Sequence, residues 1–322
     1  MQVILTVAVP IFAVVLVGYL AVRFRILGGE ATTALTAFVS YFALPVLFFG
    51  TLARTPVTQV LKLDLSVAYG LIMVVTFGIG MLTSWLVTRG ALARRTAANG
   101  GLAAMSLQGI AASWGNVGYM GVPLCLAAFG PEGLPPAMLA VIVSSVVSMI
   151  FGVLLIELDV ATHPGPFIAF LQAAWNVARN PLPMSIALGI AWSAISVPIP
   201  LPLDKGIDLL GAAAAPCALF AIGLFLCDKS LRGGLAEAGL ATLVKLLLQP
   251  ALAVLLVPLF VDAASVGGKV LVVMAALPTA ANAFVLAKQF EISVEQNTAT
   301  VLLTTALSVI TVSVVLVWLE IG

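Results

Sequence analysis

The chain has 322 residues, 62% of them hydrophobic and only 8% charged, at a formal net charge of +1, and its mean hydropathy is +1.21. That much apolar surface exceeds what one water-soluble core can hide, so the composition is that of a protein crossing the membrane several times. The charge is balanced and the densest basic cluster is Arg94-Arg95, which leaves nothing to track a phosphate backbone and excludes nucleic acid as a partner.

A bilayer core takes about 20 mostly apolar residues per helix. Segmenting at charges and Gly/Pro clusters predicts ten spans, at 2–22, 31–52, 65–88, 96–130, 135–157, 180–198, 206–227, 236–260, 264–290 and 295–319. The first, MQVILTVAVPIFAVVLVGYLAVRFR, lacks a basic leader and a small-residue cleavage site, so it reads as a spanning helix rather than a signal peptide. The fourth and ninth spans are too long for one straight crossing and carry helix breakers at their centres. These are SWGNVGYMGVP at 113–123, with Gly115, Gly121 and Pro123, and AALPTAANAF at 275–284, with Pro278. Between spans five and six, the connection 158–179 contains FIAFLQAAWNVARN, which has the pattern of an interfacial amphipathic helix.

Cytoplasmic loops retain Lys and Arg. With the first loop cytoplasmic, that side collects Arg23, Arg25, Arg89, Arg94, Arg95, Arg179, Lys229, Arg232 and Lys288. The other side has Arg54, Lys62, Lys205 and Lys269. Both termini are therefore expected outside the cytoplasm. Five spans lie in 1–157 and five in 180–322, and an odd count makes the second set enter from the opposite face. Matching features recur accordingly: Pro10 and Pro183 are 173 residues apart, Pro45 and Pro216 171, Asn116 and Asn282 166. An all-α inverted repeat with paired broken helices near the midplane is the architecture of secondary transporters.

Gly and Pro release backbone groups that lipid cannot satisfy, so an unwound segment at this depth requires protein or a watery cavity beside it. Each break carries an asparagine, Asn116 or Asn282, whose amide must find partners in apolar surroundings. Such an amide bridges two helices or contacts a ligand. Lys245, about ten residues into the eighth span, is a cation at a depth where it costs roughly 3 kcal/mol unless partnered. It either caps a broken helix through freed carbonyls or meets a substrate anion. The positive ends of half-helices add donors of the same sign. Ser113, Gly118, Tyr119, Thr279, Gln249 and Gln108 are further candidates for neutral contacts.

No Asp or Glu falls near the centre of a span, and His163 sits in the middle connection without a nucleophile or orienting carboxylate. Catalysis is therefore not expected, although a channel and an intramembrane enzyme stand as alternatives to a carrier. Cys125, Cys217 and Cys227 lack metal-ligand spacing and read as packing residues, so no metal and no cofactor are expected. The coupling ion, H+ or Na+, is open: oxygens around Gln108 and Ser113 are one set able to hold sodium without a carboxylate.

GNVGYMGVP at 115–123, LPTAANAFVLAKQF at 277–290 and KLLLQP at 245–250 resemble the auxin efflux carrier family. That family is a branch of the bile acid/arsenite/riboflavin transporter superfamily and includes bacterial malonate and other organic-acid carriers. The resemblance implies ten helices in two inverted five-helix repeats, with a scaffold and a transport domain where spans 4 and 9 cross. It implies small organic anions as substrates, mono- or dicarboxylates, held by Asn116, Asn282 and half-helix ends, with Pro123 and Pro278 as breakers. The short 158–179 connection lacks the long loop of plant members and suits a bacterial-type carrier in the inner membrane. The partners expected are the organic anion and the lipid bilayer, with a homodimer allowed.

Overall fold

The computed structural model describes residues 4–57, 62–91, 101–160, 179, 181–227 and 234–320. Arg94, Arg95, His163, Lys229, Arg232 and most of the 158–179 connection lie outside the described residues. Among those described, the regular structure is helical throughout. In chain order the helices are α1 (4–23), α2 (Gly29–Ala53), α3 (Leu63–Ala91), α4 (Leu102–Ser113), α5 (117–129) and α6 (134–160). There follow α7 (Pro181–Ile195), α8 (Leu201–Cys227), α9 (Leu235–Leu259), α10 (Val266–Ala275), α11 (Ala281–Phe290) and α12 (Val294–Trp318). Among the described residues seven stretches are long and apolar enough to cross a membrane alone. One of these, Val117–Val147, joins α5 to α6 through Gly130, whose φ of +66° suits glycine, and α6 packs back along α5. Large apolar side chains such as Leu16, Leu209, Leu255 and Ile310 are exposed along these helices, as expected of a surface solvated by lipid.

Four helices share one local device. A five-residue π turn at Ile4–Ala8, Val39–Ala43, Val117–Gly121 and Val244–Leu248 precedes Pro10, Pro45, Pro123 and Pro250. Proline has no N–H for the carbonyl four residues back, and its ring collides with that carbonyl. Widening the preceding turn by one residue removes the collision: the N–H groups of Leu44, Val122 and Gln249 reach the carbonyls of Val39, Val117 and Val244, five residues back. Pro123 therefore widens its helix instead of breaking it, contrary to the sequence expectation. Gly121 also lies within helical structure, and a Cβ there would strike Met274 and Leu277 of the second broken span. The true interruption is narrower, at Trp114–Asn116.

Several hydroxyls buried in apolar helices are satisfied locally. Thr76, Thr242, Thr304 and Thr305 each donate to a carbonyl four residues back, so these residues cost little where water is excluded.

The helices form two packed groups. In one, α1 packs on the second half of α8, and α2 packs on α7 and the start of α8. In the other, α3 packs on α4, α6 and α9, α4 on α6, α9 on α10 and α12, and α11 on α12. They meet where α5 lies against α8, where α2 meets α6, and where the start of α1 lies against α5 and α12. Arg54 closes one end of the first group: it follows α2 and binds Asp204 and, at 2.8 Å, Asp208 of α8.

Glycines bring backbones into contact within the first group. A Cβ on Gly18 of α1 would strike the carbonyl of Phe220 of α8, and one on Gly189 of α7 would sit 3.0 Å from the carbonyl of Phe49 of α2. Gly18 and Gly189 are 171 residues apart, and so are Phe49 and Phe220, the spacing that also separates Pro45 from Pro216. Close backbone approach at small residues is how apolar helices gain packing in lipid, where burial from water contributes nothing.

A Cβ at Gly223 would fall on the Val15 carbonyl and lie 2.7 Å from the Tyr19 amide nitrogen. Gly223→Val should therefore destabilise the protein by about 1–3 kcal/mol, read as a lower Tm in detergent. Gly206→Ala, with nothing within 4 Å, should raise stability by up to about 1 kcal/mol through helix propensity. Equal responses would mean that α1 and α8 are not in contact at Gly223.

Candidate functional site

Helix α4 ends at Ser113 and the chain becomes extended, with Trp114 at φ −79°, ψ 102°. The second break lies between Ala275, the end of α10, and Ala280, also extended at ψ 142°. The two unwound segments cross and pair with each other. Gly115 and Thr279 form an antiparallel bridge, flanked by Asn116 N–H to Pro278 O at 2.7 Å and Ala280 N–H to Trp114 O at 2.9 Å. Backbone groups that lipid cannot satisfy are thus satisfied by the other break, which is why the breaks coincide in space. Pro278 brings only an acceptor, and only an acceptor is needed there. An antiparallel bridge has a local two-fold axis, so pairing Gly115 with Thr279 matches Asn282 to Gly118 and Asn116 to Ala280. The two asparagines are thus two residues out of strict equivalence.

The last carbonyls of α4 and α10 lack helical partners, and side chains supply them. Thr279 Oγ1 donates to Ala111 O at 2.7 Å, and Gln249 Nε2 donates to Ser113 O at 2.9 Å and Thr76 Oγ1 at 3.3 Å. Lys245 Nζ donates to Ala275 O at 2.9 Å and to Gln249 Oε1. The Thr279 N–H is taken by Thr304 Oγ1 at 3.1 Å. The π turn Val244–Leu248 sets Lys245 one turn before Gln249, and both are fully buried. Gly115 makes room for the ammonium: a Cβ there would lie 3.3 Å from Lys245 Nζ and 3.4 Å from Met274 O. Among the described residues no carboxylate pairs with Lys245. Its charge faces helix C-terminal ends, each equivalent to about half a negative charge.

The predicted site residues therefore divide into two sets. Lys245, Gln249, Thr279 and Ser113 are buried behind the bridge and bonded within the protein, Ser113 through its hydroxyl to Gly109 O at 2.8 Å. Asn116, Gly118, Tyr119 and Asn282 are half-buried or exposed. Asn116 immediately precedes α5 and Asn282 is the second residue of α11. Among the described residues neither amide has a side-chain hydrogen-bond partner, and the space beside Gly118 is open. The structure thus sets free amides beside two helix N-termini, the ends that attract anions.

Both of these half-helices also touch the other helical group. Tyr119 hydrogen-bonds Ser40 of α2, and Phe284 of α11 packs edge-on against Phe225 of α8, with ring centroids 5.9 Å apart. Ser40, Thr76 and Thr304 were not legible as site residues, being ordinary hydroxyls in apolar spans. A cavity of about 120 Å³ lies beside Pro123 and Leu126 between the groups, and an apolar groove of about 660 Å³ separates α1, α2 and α8. Neither is lined by Asn116 or Asn282.

Comparison with known proteins bears on this arrangement. The family model described as "Membrane transport protein" matches residues 3–164 and 166–316. A Rhizobium meliloti (strain 1021) protein named "Putative malonate transporter" is 33% identical over 304 residues, covering 94% of this chain and 92% of that protein. An uncharacterized transporter of Methanocaldococcus jannaschii is 25% identical over 307 residues, 94% of each chain. A multi-pass helical chain matched almost end to end by that model and by such a relative belongs to the membrane transport protein family, that of the auxin efflux carriers.

Proposed function

We propose that the chain is a secondary carrier of a small carboxylate of the malonate type, bound at the crossover and moved by alternating access. The observation that carries this reading is the pair of unbonded amides, Asn116 and Asn282, beside the N-termini of two half-helices. Two positive helix ends and two amides offer a carboxylate donors without a competing fixed carboxylate. The malonate-type substrate is favoured by the name of the Rhizobium relative.

Two inverted five-helix repeats, 1–157 and 180–322, are supported by the pair of Gly–Phe backbone contacts 171 residues apart and by the crossing of one broken span from each half. The crossover group is the moving part in this reading. Its half-helices α5 and α11 meet the α1, α2, α7 and α8 group at a side-chain interface that includes Ser40–Tyr119 and Phe225–Phe284. Lys245 and Gln249 act by holding the break in shape, the capping role left open by the sequence, and not by touching the anion. The membrane is a bacterial inner membrane, with both termini on the non-cytoplasmic face.

Asn116→Ala and Asn282→Ala should each weaken malonate binding by about 1.5–3 kcal/mol, one to two powers of ten, with Tm nearly unchanged because no protein hydrogen bond is lost. Gln249→Leu should do the reverse. It strands the Ser113 carbonyl and one Lys245 donor, costing about 1–3 kcal/mol per buried group, seen as a lower Tm and yield. Malonate-induced stabilisation of purified protein and uptake into proteoliposomes measure both. Wild-type affinity in the two Asn variants would refute the site.

Orientation is tested by single cysteines in a background without Cys125, Cys217 and Cys227. Positions 62 and 269 should react with an impermeant reagent in sealed cells, while 94 and 229 should stay silent until permeabilisation. The opposite pattern inverts the topology.

A further inference from the structure

We infer that Lys245 is a built-in substitute for a bound cation: its ammonium stands where a metal ion would otherwise hold the carbonyl ends of the crossover together, so this carrier needs no sodium there. This rests on the carrier reading and extends it to ion coupling. The surroundings of Nζ are those a hard monovalent cation seeks, namely neutral oxygens. Ala275 O and Gln249 Oε1 accept from it directly, and Met274 O borders the same space at Gly115. Ser113 O, from the other broken helix, joins through the Gln249 amide.

Charge counting points the same way. Two helix C-termini supply about one negative charge between them, and the ammonium supplies one positive. With no carboxylate at ion-pair distance from Lys245 among the described residues, a second cation would leave the buried site net positive, which a low-dielectric interior strongly disfavours. A tethered amine also cannot leave the protein, so no metal ion need be bound and released there during the cycle. Gly115 is the complementary feature, since any side chain there would press on the ammonium.

The test uses the full-length purified chain, with Tm measured in NaCl, ammonium chloride, methylammonium chloride or choline chloride at equal ionic strength. Wild-type Tm, and wild-type malonate uptake, should be the same in sodium and in choline. Lys245→Ala opens the oxygen-lined space, so its Tm should be lower in choline and rise by roughly 3 °C or more in sodium, ammonium or methylammonium. Lys245→Met fills the space without charge and should be destabilised with no cation response. The inference is overturned if sodium stabilises the wild-type protein or stimulates its uptake. It is equally overturned if Lys245→Ala responds to none of the three cations. Should Lys245→Ala fail to fold, the wild-type sodium comparison still decides against the inference or for it. Failure of the substrate reading is a separate result: no stabilisation of the wild-type protein by malonate, with cation rescue of Lys245→Ala intact.

Discussion

An unwound backbone at the depth of a bilayer has no water to bond, and each polar group left alone there costs several kcal/mol. The protein meets that constraint by making its two interruptions solve each other. Asn116 N–H and Ala280 N–H are taken by Pro278 O and Trp114 O across the Gly115–Thr279 bridge. Everything near the site follows from this pairing. It sets the crossing point, turns two helix C-termini toward Lys245 and Gln249, and starts two new helices whose N-termini carry the free asparagines.

The buried support and the open contacts have different physical requirements. The support is a closed hydrogen-bond network in a medium of low dielectric, where one missing partner is expensive; Lys245, Gln249, Thr279, Thr304 and Thr76 leave few loose ends. The amides of Asn116 and Asn282 have no hydrogen-bond partner among the described residues. A ligand contact needs that freedom, because a donor already engaged would have to break one bond to form another. The prolines that follow π turns belong to neither set. Pro123 and Pro250 are absorbed into helices that remain continuous, whereas Pro278 sits in an interruption and lends its carbonyl to the bridge.

Outside the crossover the helices separate into two groups, one tightened by backbone contacts at Gly18, Gly223 and Gly189, the other built around the breaks. Close glycine crossings let backbones of the first group pack directly on one another.

The sequence by itself determined that the protein is a multi-helix membrane protein, where its interrupted spans lie, and which residues are unusual in them. Those are local properties: composition, the run length of apolar residues, and the inability of proline and glycine to support a regular helix. It also singled out Asn116, Asn282 and Lys245, because polar groups in apolar spans are conspicuous. It did not distinguish their duties, nor show that Pro123 and Gly121 stay inside a helix. Those outcomes were decided by the tertiary structure alone. Lys245 bonds a carbonyl 30 residues away, Gln249 one 136 away and Thr279 one 168 away. Whether a buried polar group is a support or a free contact depends on such distant partners, which only the folded chain brings within reach.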